Sequence, residues 1–146
     1  MSINTLQEIT KKIKEFCDKS AIVNQYLEGD FSTFNSSDNS YPLIFVTPIK
    51  NRITNTLIQF VFNISFIDNC YEKSTLMKVL SDLFIIVTEL YIYISDDADN
   101  DRYFITLAQP SEAQPFYRGI DNTAGWQMDI TFNLTMNINV NDIRFK

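Results

Sequence analysis

One long alternation of apolar and polar residues constrains the fold of this chain more than any other feature. From residue 126 to residue 140 every second residue is large and apolar, and the residues between them are polar. Successive side chains of a β-strand point to opposite faces, so this pattern predicts a strand with one buried face and one hydrated face. The fifteen residues would extend about 50 Å, whereas a compact domain of this length is about 40 Å across. Such a strand either bends at a bulge or protrudes from the domain, and the pattern leaves both open.

Three further periodicities predict elements that cover this strand. Residues 57–67 carry five apolar side chains on one face and indicate a core strand. Apolar residues three and four apart predict a first helix near the amino end, with Asn4 as its N-cap, and a second helix from Ser74 to about Leu90. The first stripe is Leu6, Ile9, Ile13 and Phe16, and the second is Leu76, Leu80, Leu83, Phe84, Val87 and Tyr91.

The segments between these elements are less regular. Residues 22–27 suggest a short helical turn that ends at Gly29, and residues 30–40 read as a loop. Prolines at 42 and 48 flank an apolar run at 41–46, which indicates an edge strand followed by a polar turn at 50–52. A short strand is predicted at 103–107 and a long polar connection at 110–125.

This order of elements predicts an α+β fold. The 146 residues match the size of one ordinary domain, so a single domain, 1–146, is expected. The expected architecture is an antiparallel β-sheet of about four strands with two helices packed on one face.

Composition excludes several classes of function. Histidine is absent, which removes Ser-His-Asp and Cys-His catalysis and imidazole-based metal sites. Three glycines cannot form a phosphate-binding loop. A net charge of −6 opposes tight binding to nucleic acid or an anionic membrane. The two cysteines, Cys17 and Cys70, are expected to be reduced thiols in the cytoplasm.

No catalytic, cofactor-binding or metal-binding residue is predicted. The acidic run at 97–101 matches the first ligand positions of an EF-hand loop, but Arg102 and Ala108 stand where glycine and glutamate belong, which favours a solvated tip. Asp82 and Glu89 lie about 10 Å apart along one helix face, which is typical of a solvent-facing pair. Cys70 has no histidine to act as its base, so an inert thiol is favoured. These observations indicate a protein that is not an enzyme.

The segment at 108–126 combines features that ordinary loops avoid. It contains two prolines and two glycines around Phe116, Tyr117 and Arg118, and it leads into Trp126. Aromatic residues and arginine in a stiff exposed loop dominate the energetics of many interfaces, which predicts a subunit interface here. The alternative is that Phe116 and Trp126 cap the end of the core, and the sequence does not decide between them.

The same segment resembles a known family. Residues 110–119, which read PSEAQPFYRG, and Ala124-Gly125-Trp126 at the start of the long strand are similar to the carboxyl-terminal half of small tail-terminator or tail-completion proteins of tailed bacteriophages. The ring proteins of crAss-like phages resemble the chain most. An initial helix, a strand that contains Tyr41-Pro42 and a second helix follow the same order in that family.

The resemblance implies a tail-terminator-like fold and a virion structural protein, assembled in the cytoplasm of a bacterial host. Such a protein forms a closed homo-oligomeric ring of sixfold or twelvefold symmetry at the head-tail connector or the viral tail. Its neighbours are portal, neck or tail ring proteins, and genome DNA passes through the channel without being bound. No cofactor and no membrane are implied.

Two other classes of function stay open from the residues alone. A monomeric adaptor could bind peptides through an exposed strand edge. A small enzyme could use carboxylates whose environment the sequence does not reveal.

Overall fold

A computed structural model of the protein describes residues 5–35, 39–99, 105–108 and 111–135. In these ranges the chain forms two α-helices and six β-strands, with short 3-10 turns at Phe31–Thr33 and Lys73–Thr75. In chain order the elements are α1 (Thr5–Lys19), β1 (Gln25–Glu28), β2 (Leu43–Ile53), β3 (Leu57–Asn69), α2 (Leu76–Asp99), β4 (Ile105–Leu107), β5 (Glu112–Arg118) and β6 (Thr123–Thr135).

The strands form one mixed sheet with five positions across it. The order is β1-β2-β3-β6-β4, and β5 pairs with β6 as well. Both β4 and β5 lie antiparallel to β6, β4 opposite residues 132–134 and β5 opposite residues 123–129. The pairing of β1 with β2 is parallel. The α+β class is therefore confirmed, whereas the expectation of about four antiparallel strands is wrong.

The central pair of strands, β3 and β6, is the one that the alternation predicts. They pair antiparallel in one continuous register, from Leu57 opposite Thr135 to Asn69 opposite Thr123. Thirteen residues extend about 43 Å, and α2, with 24 residues, is about 36 Å long. The expectation for residues 136–140, including whether the strand end protrudes or bends, lies outside the described residues.

Both helices pack on the same face of the sheet, as expected. Ile9, Ile13 and Phe16 of the α1 stripe and the inner side of α2 join the apolar faces of β2, β3 and β6 in one buried cluster. Leu6, the other residue of that stripe, is 40% exposed, so the prediction is wrong for it. Alternate residues of β3 and β6 point into the cluster because the strand period is two. Its fully buried side chains include Ile9, Ile13, Ile44, Phe62, Ile64, Phe66, Leu83, Ile86, Leu90, Ile94 and Ile130.

The other face of the sheet is apolar at one end and polar along the rest. At the apolar end Leu43, Phe45 and Ile67 are covered by Phe31 and Phe34, together with Tyr41 and Phe116. The remaining polar side chains bond across β3 and β6. The bonds are Gln59 Nε2 to Asn133 Oδ1 at 2.8 Å, Asn63 Nδ2 to Asp129 Oδ1 at 2.9 Å, and Gln127 Nε2 to Ser65 Oγ at 3.3 Å.

The prediction of a helical turn at 22–27 is wrong, because this segment forms β1. Its backbone is extended and is tied to β2 by further hydrogen bonds from Asn24 N–H to the Pro42 carbonyl and from Gly29 N–H to the Val46 carbonyl. Tertiary pairing thus overrides a weak helical pattern that lacks the length to form a stable helix. Gly29 has φ +143°, a conformation that glycine adopts without strain, and it ends this strand rather than a helix.

Residues 43–46 of the predicted strand at 41–46 begin the longer strand β2, and no polar turn occurs at 50–52. The prediction of an edge position is wrong for these residues, because β1 pairs with them. The register shifts between Pro48 and Lys50, which places a bulge at Ile49. Since β1 pairs only with residues 43–46 of β2, Pro48 lies where that edge of the sheet is open. A bulge on an open edge tolerates the missing proline N–H, so the strand continues past it.

Helix α2 extends well beyond the predicted end near Leu90, because Ile94 continues its buried stripe. Part of the acidic run is therefore helical, up to Asp99, and is not a loop. The Asn4 cap and residues 100–104, which contain the rest of the acidic run and the start of the predicted strand at 103–107, lie outside the described residues. The end of that strand is confirmed as β4.

Candidate subunit interface

The segment that we predicted as a long polar connection forms β5 and its turn into β6. Glu112 to Arg118 pair with β6 from Asp129 to Thr123, and Asn122 adopts φ +57° in the intervening turn. Pro115 and the polar residues around it hide the strand pattern in the sequence. Because β5 lies at the edge of the sheet, the proline is tolerated there. The residues predicted at an interface therefore belong to a hairpin and not to a free loop.

Trp126 packs this hairpin against α2. Its indole N–H donates a 2.9 Å hydrogen bond to the Leu80 carbonyl, and its ring lies 5.1 Å from the ring of Phe84. The side chain is partly buried against the main cluster. These contacts agree with the interpretation that Trp126 caps the end of the core.

Phe116 and Arg118 lie on the opposite face of the hairpin. Phe116 packs on the small apolar cluster around Phe45. The Arg118 guanidinium lies 5.9 Å from the ring centroids of both Phe31 and Phe34, within the range of a cation-π contact, and forms a 3.2 Å ion pair with Asp121. Tyr117, next along β5, is half-buried. The structure thus gathers all four predicted residues at one end of the sheet, while their contact with a second subunit stays a prediction.

Gly125 sits where β6 passes unusually close to β3. A Cβ atom at this position would lie 1.7 Å from the carbonyl oxygen of Phe66 and 3.1 Å from the ring of Phe116. Any other residue would force the two backbones apart. The glycine of the Ala-Gly-Trp sequence is therefore a packing requirement of the hairpin.

Helix α2 presents a second apolar surface, which the sequence analysis did not single out. Met77, Phe84, Ile85 and Ile92 are 73%, 43%, 53% and 65% exposed. Phe84 belongs to the stripe that we predicted as buried, so that prediction is wrong for it. The sequence indicates that this helix has more apolar residues than one buried face can hold, since large apolar residues occur on nearly all of its sides.

An open apolar groove runs between α2 and β5. Its volume is about 390 Å³, and Phe84 and Ile92 lie on its rim. The other lining residues are Val87, Thr88, Tyr91, Ser111, Ala113 and Met128. We call this groove, together with the exposed face of α2 beside it, the α2 surface.

At the opposite edge of the sheet, β2 leaves a second surface exposed. Ile49 and Ile53 are 49% and 73% exposed, and Lys50 and Arg52 between them are exposed too. Beside them lies an open groove of about 410 Å³ that Leu6, Val46, Pro48 and Phe62 help to line. We call residues 49–53 and this groove the β2 surface.

The carboxylates and thiols considered in the sequence lie on the exposed side of α2 or in the core. Asp82 and Glu89 are exposed on α2. Burial, with a smaller effect of Asp18, raises the pKa of Cys17 to about 12, and Cys70 is also a buried free thiol. Among the described residues no cluster of three or more thiolates and carboxylates could hold a metal ion. In the same ranges no helix is long and apolar enough to cross a membrane.

The partly buried position of Asp68 lowers the stability of the folded protein at neutral pH. Burial, together with the Asp82 charge, raises its pKa above the ordinary 3.8, although the N–H of Asn69 bonds to it at 2.8 Å. Since the folded-state pKa is the higher one, the ionised form destabilises the fold at neutral pH, and this cost vanishes below the unfolded-state pKa. We expect Asp68→Asn to raise the melting temperature at pH 7 and to leave it unchanged near pH 3. Circular dichroism melts measure the change. An equal rise in melting temperature at both pH values would show that the charge of Asp68 is not its cause.

No protein-family model matches this chain, and no curated protein is significantly similar to it in sequence.

Proposed function

We propose that the protein is a virion structural protein that forms a closed ring at the neck or tail of a tailed bacteriophage, as a head-tail connector or tail terminator. It joins neighbouring portal, neck or tail rings and encloses part of the channel for genome DNA. The observation that carries this proposal is the exposure of two different apolar surfaces on one subunit, the α2 surface and the β2 surface. A ring of identical subunits needs two such surfaces, because each copy contacts one neighbour through each of them.

The polar face of the sheet supports the proposal in a second way. Its amide and hydroxyl groups bond to one another across β3 and β6, and Glu112 lies directly opposite Asp129. Together with the net charge of −6, such a face repels phosphate groups. That property suits a wall past which DNA must slide without binding. The resemblance of residues 110–126 to tail-terminator proteins adds the location and the sixfold or twelvefold symmetry.

The state of assembly tests the proposal directly. We expect native mass spectrometry of the purified protein to give one closed multiple of the 17.0 kDa subunit, and electron microscopy to show rings. A subunit that stays monomeric at every concentration would contradict the ring. It would favour the alternative, an adaptor that binds peptides at the open edge of β2.

The predicted interface at 116–118 and Trp126 has a separate test. We expect Tyr117→Ala combined with Arg118→Ala to leave a folded protein that no longer assembles, because aromatic and arginine anchors at an interface each contribute about 2 kcal/mol or more of association energy. Circular dichroism reports folding, and native mass spectrometry reports assembly.

The matched control lies on the same strand. Glu112→Ala with Gln114→Ala alters two exposed side chains of β5 outside the predicted set and should assemble normally. If the Tyr117 and Arg118 variant unfolds, these residues serve only their own core. If it assembles like the parent, the contact between subunits lies elsewhere.

A further inference from the structure

We propose that the β2 surface of one copy docks on the α2 surface of the next copy, so that Ile49 and Ile53 pack against Ile85 and Ile92 beside the groove between α2 and β5. This inference rests on the proposed ring and names the two faces that would build it. The two surfaces lie on opposite edges of the sheet, because β2 is near one end of the strand order while β5 pairs with the outer edge of β6.

Each surface presents a pair of exposed isoleucines, and the two pairs have comparable spacing. Ile49 and Ile53 are four residues apart on an extended strand, about 13 Å. Ile85 and Ile92 are seven residues apart on a helix, about 10 Å. All four are between 49% and 73% exposed in the single subunit. Burying them against each other removes apolar area from water on both partners.

Charge is complementary between the same surfaces. Helix α1 and strands β1 and β2, which border the β2 surface, together contain six basic and four acidic residues. Helix α2 contains one basic and five acidic residues. Lys50 and Arg52 are exposed on β2, on the face of the strand opposite Ile53, and Glu89 and Asp82 are exposed beside Phe84 and Ile85 on α2. Opposite charges at the rim steer the encounter, and like charges oppose the pairing of two β2 surfaces or two α2 surfaces.

The backbone of β2 favours docking through side chains over strand addition. Among the described strands none pairs with residues 47–53 on the side that faces away from β3. This open edge carries Pro48, a bulge at Ile49 and two cations, the features by which proteins prevent an edge from pairing with another strand. A helix face with apolar and acidic residues can still cover the edge, because it contacts side chains and needs no backbone ladder.

Two single substitutions test the head-to-tail arrangement. Ile53→Asp disables the β2 surface and Ile85→Asp disables the α2 surface, and we expect each variant alone to lose higher assembly. Mixed together, they should form a one-to-one dimer that grows no further, since one intact surface of each kind remains in the mixture. Ile22→Asp is the control, because this residue is 45% exposed in the turn between α1 and β1 and lines neither groove.

A charge exchange makes the test independent of the apolar substitutions. Lys50→Glu with Arg52→Glu should weaken assembly at least tenfold, and adding Asp82→Lys with Glu89→Lys should restore it to within a few-fold. All four side chains are exposed, so the fold should survive, which circular dichroism checks.

The outcomes separate the two proposals. A parent protein that never assembles overturns the ring and this inference with it. A parent that assembles, with Ile53→Asp and Ile85→Asp assembling equally well, overturns the docking and leaves the ring intact. Loss of assembly without a dimer in the mixture also overturns the docking, as does a charge exchange that does not restore assembly.

Discussion

Gly125→Ala is expected to abolish the folded protein. The added Cβ would lie 1.7 Å from the carbonyl oxygen of Phe66, and that oxygen belongs to the backbone of the central strand β3. Relief of the clash requires β6 to move away from β3, which breaks the ladder that also positions Trp126 on α2. Since a typical domain is stable by only about 5–15 kcal/mol, we expect insoluble expression or a circular dichroism spectrum without a cooperative melt.

Gly119→Ala provides the matched control. Its added Cβ would approach a side chain only, with the ring of Tyr117 at 3.3 Å, and the ring can move by a few tenths of an ångström. We expect soluble protein with a melting temperature close to that of the parent. Soluble, cooperatively folded Gly125→Ala would show that β6 can be displaced from β3 at little cost, contrary to the packing described above.

Ile130→Asp and Phe132→Asp are expected to have an effect of similar size. Both side chains are buried in the main cluster, at 0% and 2% exposure, and the ring of Phe132 packs edge-on against Phe62 at 5.7 Å. A carboxylate forced into this apolar environment costs several kcal/mol, a large share of the stability of a domain. We therefore expect no soluble protein in cell extracts from either variant.

Thr131→Asp, between them on β6, is the control. Its side chain lies on the polar face of the sheet, so a carboxylate there stays in contact with water. We expect this variant to be soluble and to melt within a few degrees of the parent. Equal behaviour of all three variants would mean that the two faces of β6 are assigned the wrong way round.

The elements that could be predicted from the sequence are those whose own side chains decide their structure. The alternation of β3 and β6 and the stripe of α1 each contain enough apolar side chains to bury one face. The structure confirms them in the residues that it describes, with Leu6 as the exception. By contrast, β1 has four residues, and its extended form depends on pairing with β2. The proline of β5 signals a loop unless one knows that the strand lies at an edge. The sequence of a short segment does not show which strand will pair with it in the sheet.

The candidate interface shows the same limit. Residues 116–118 and Trp126 were predicted at an interface because of their residue types. In the structure Phe116, Arg118 and Trp126 make contacts inside their own chain. Apolar residues on nearly all sides of α2 indicate that some of them are exposed, but the sequence does not show which ones. For β2 as well, only the packing shows which side has no partner. Ile85 stands outside the predicted stripe of the second helix and Ile53 outside the predicted strands, and both are exposed in the subunit.

The pairing of β3 with β6 also constrains how the protein forms during synthesis. Asn63 and Asp129, which bond across this pair, are 66 positions apart in the chain, so closing the sheet involves a long loop and a high contact order. While the ribosome has made only the first half, β3 has no β6 beside it, and its apolar face lacks α2. Such an intermediate exposes a strand edge that is prone to aggregate. Productive folding therefore waits for residues 123–135, and the rate of their arrival sets how long the nascent chain is vulnerable.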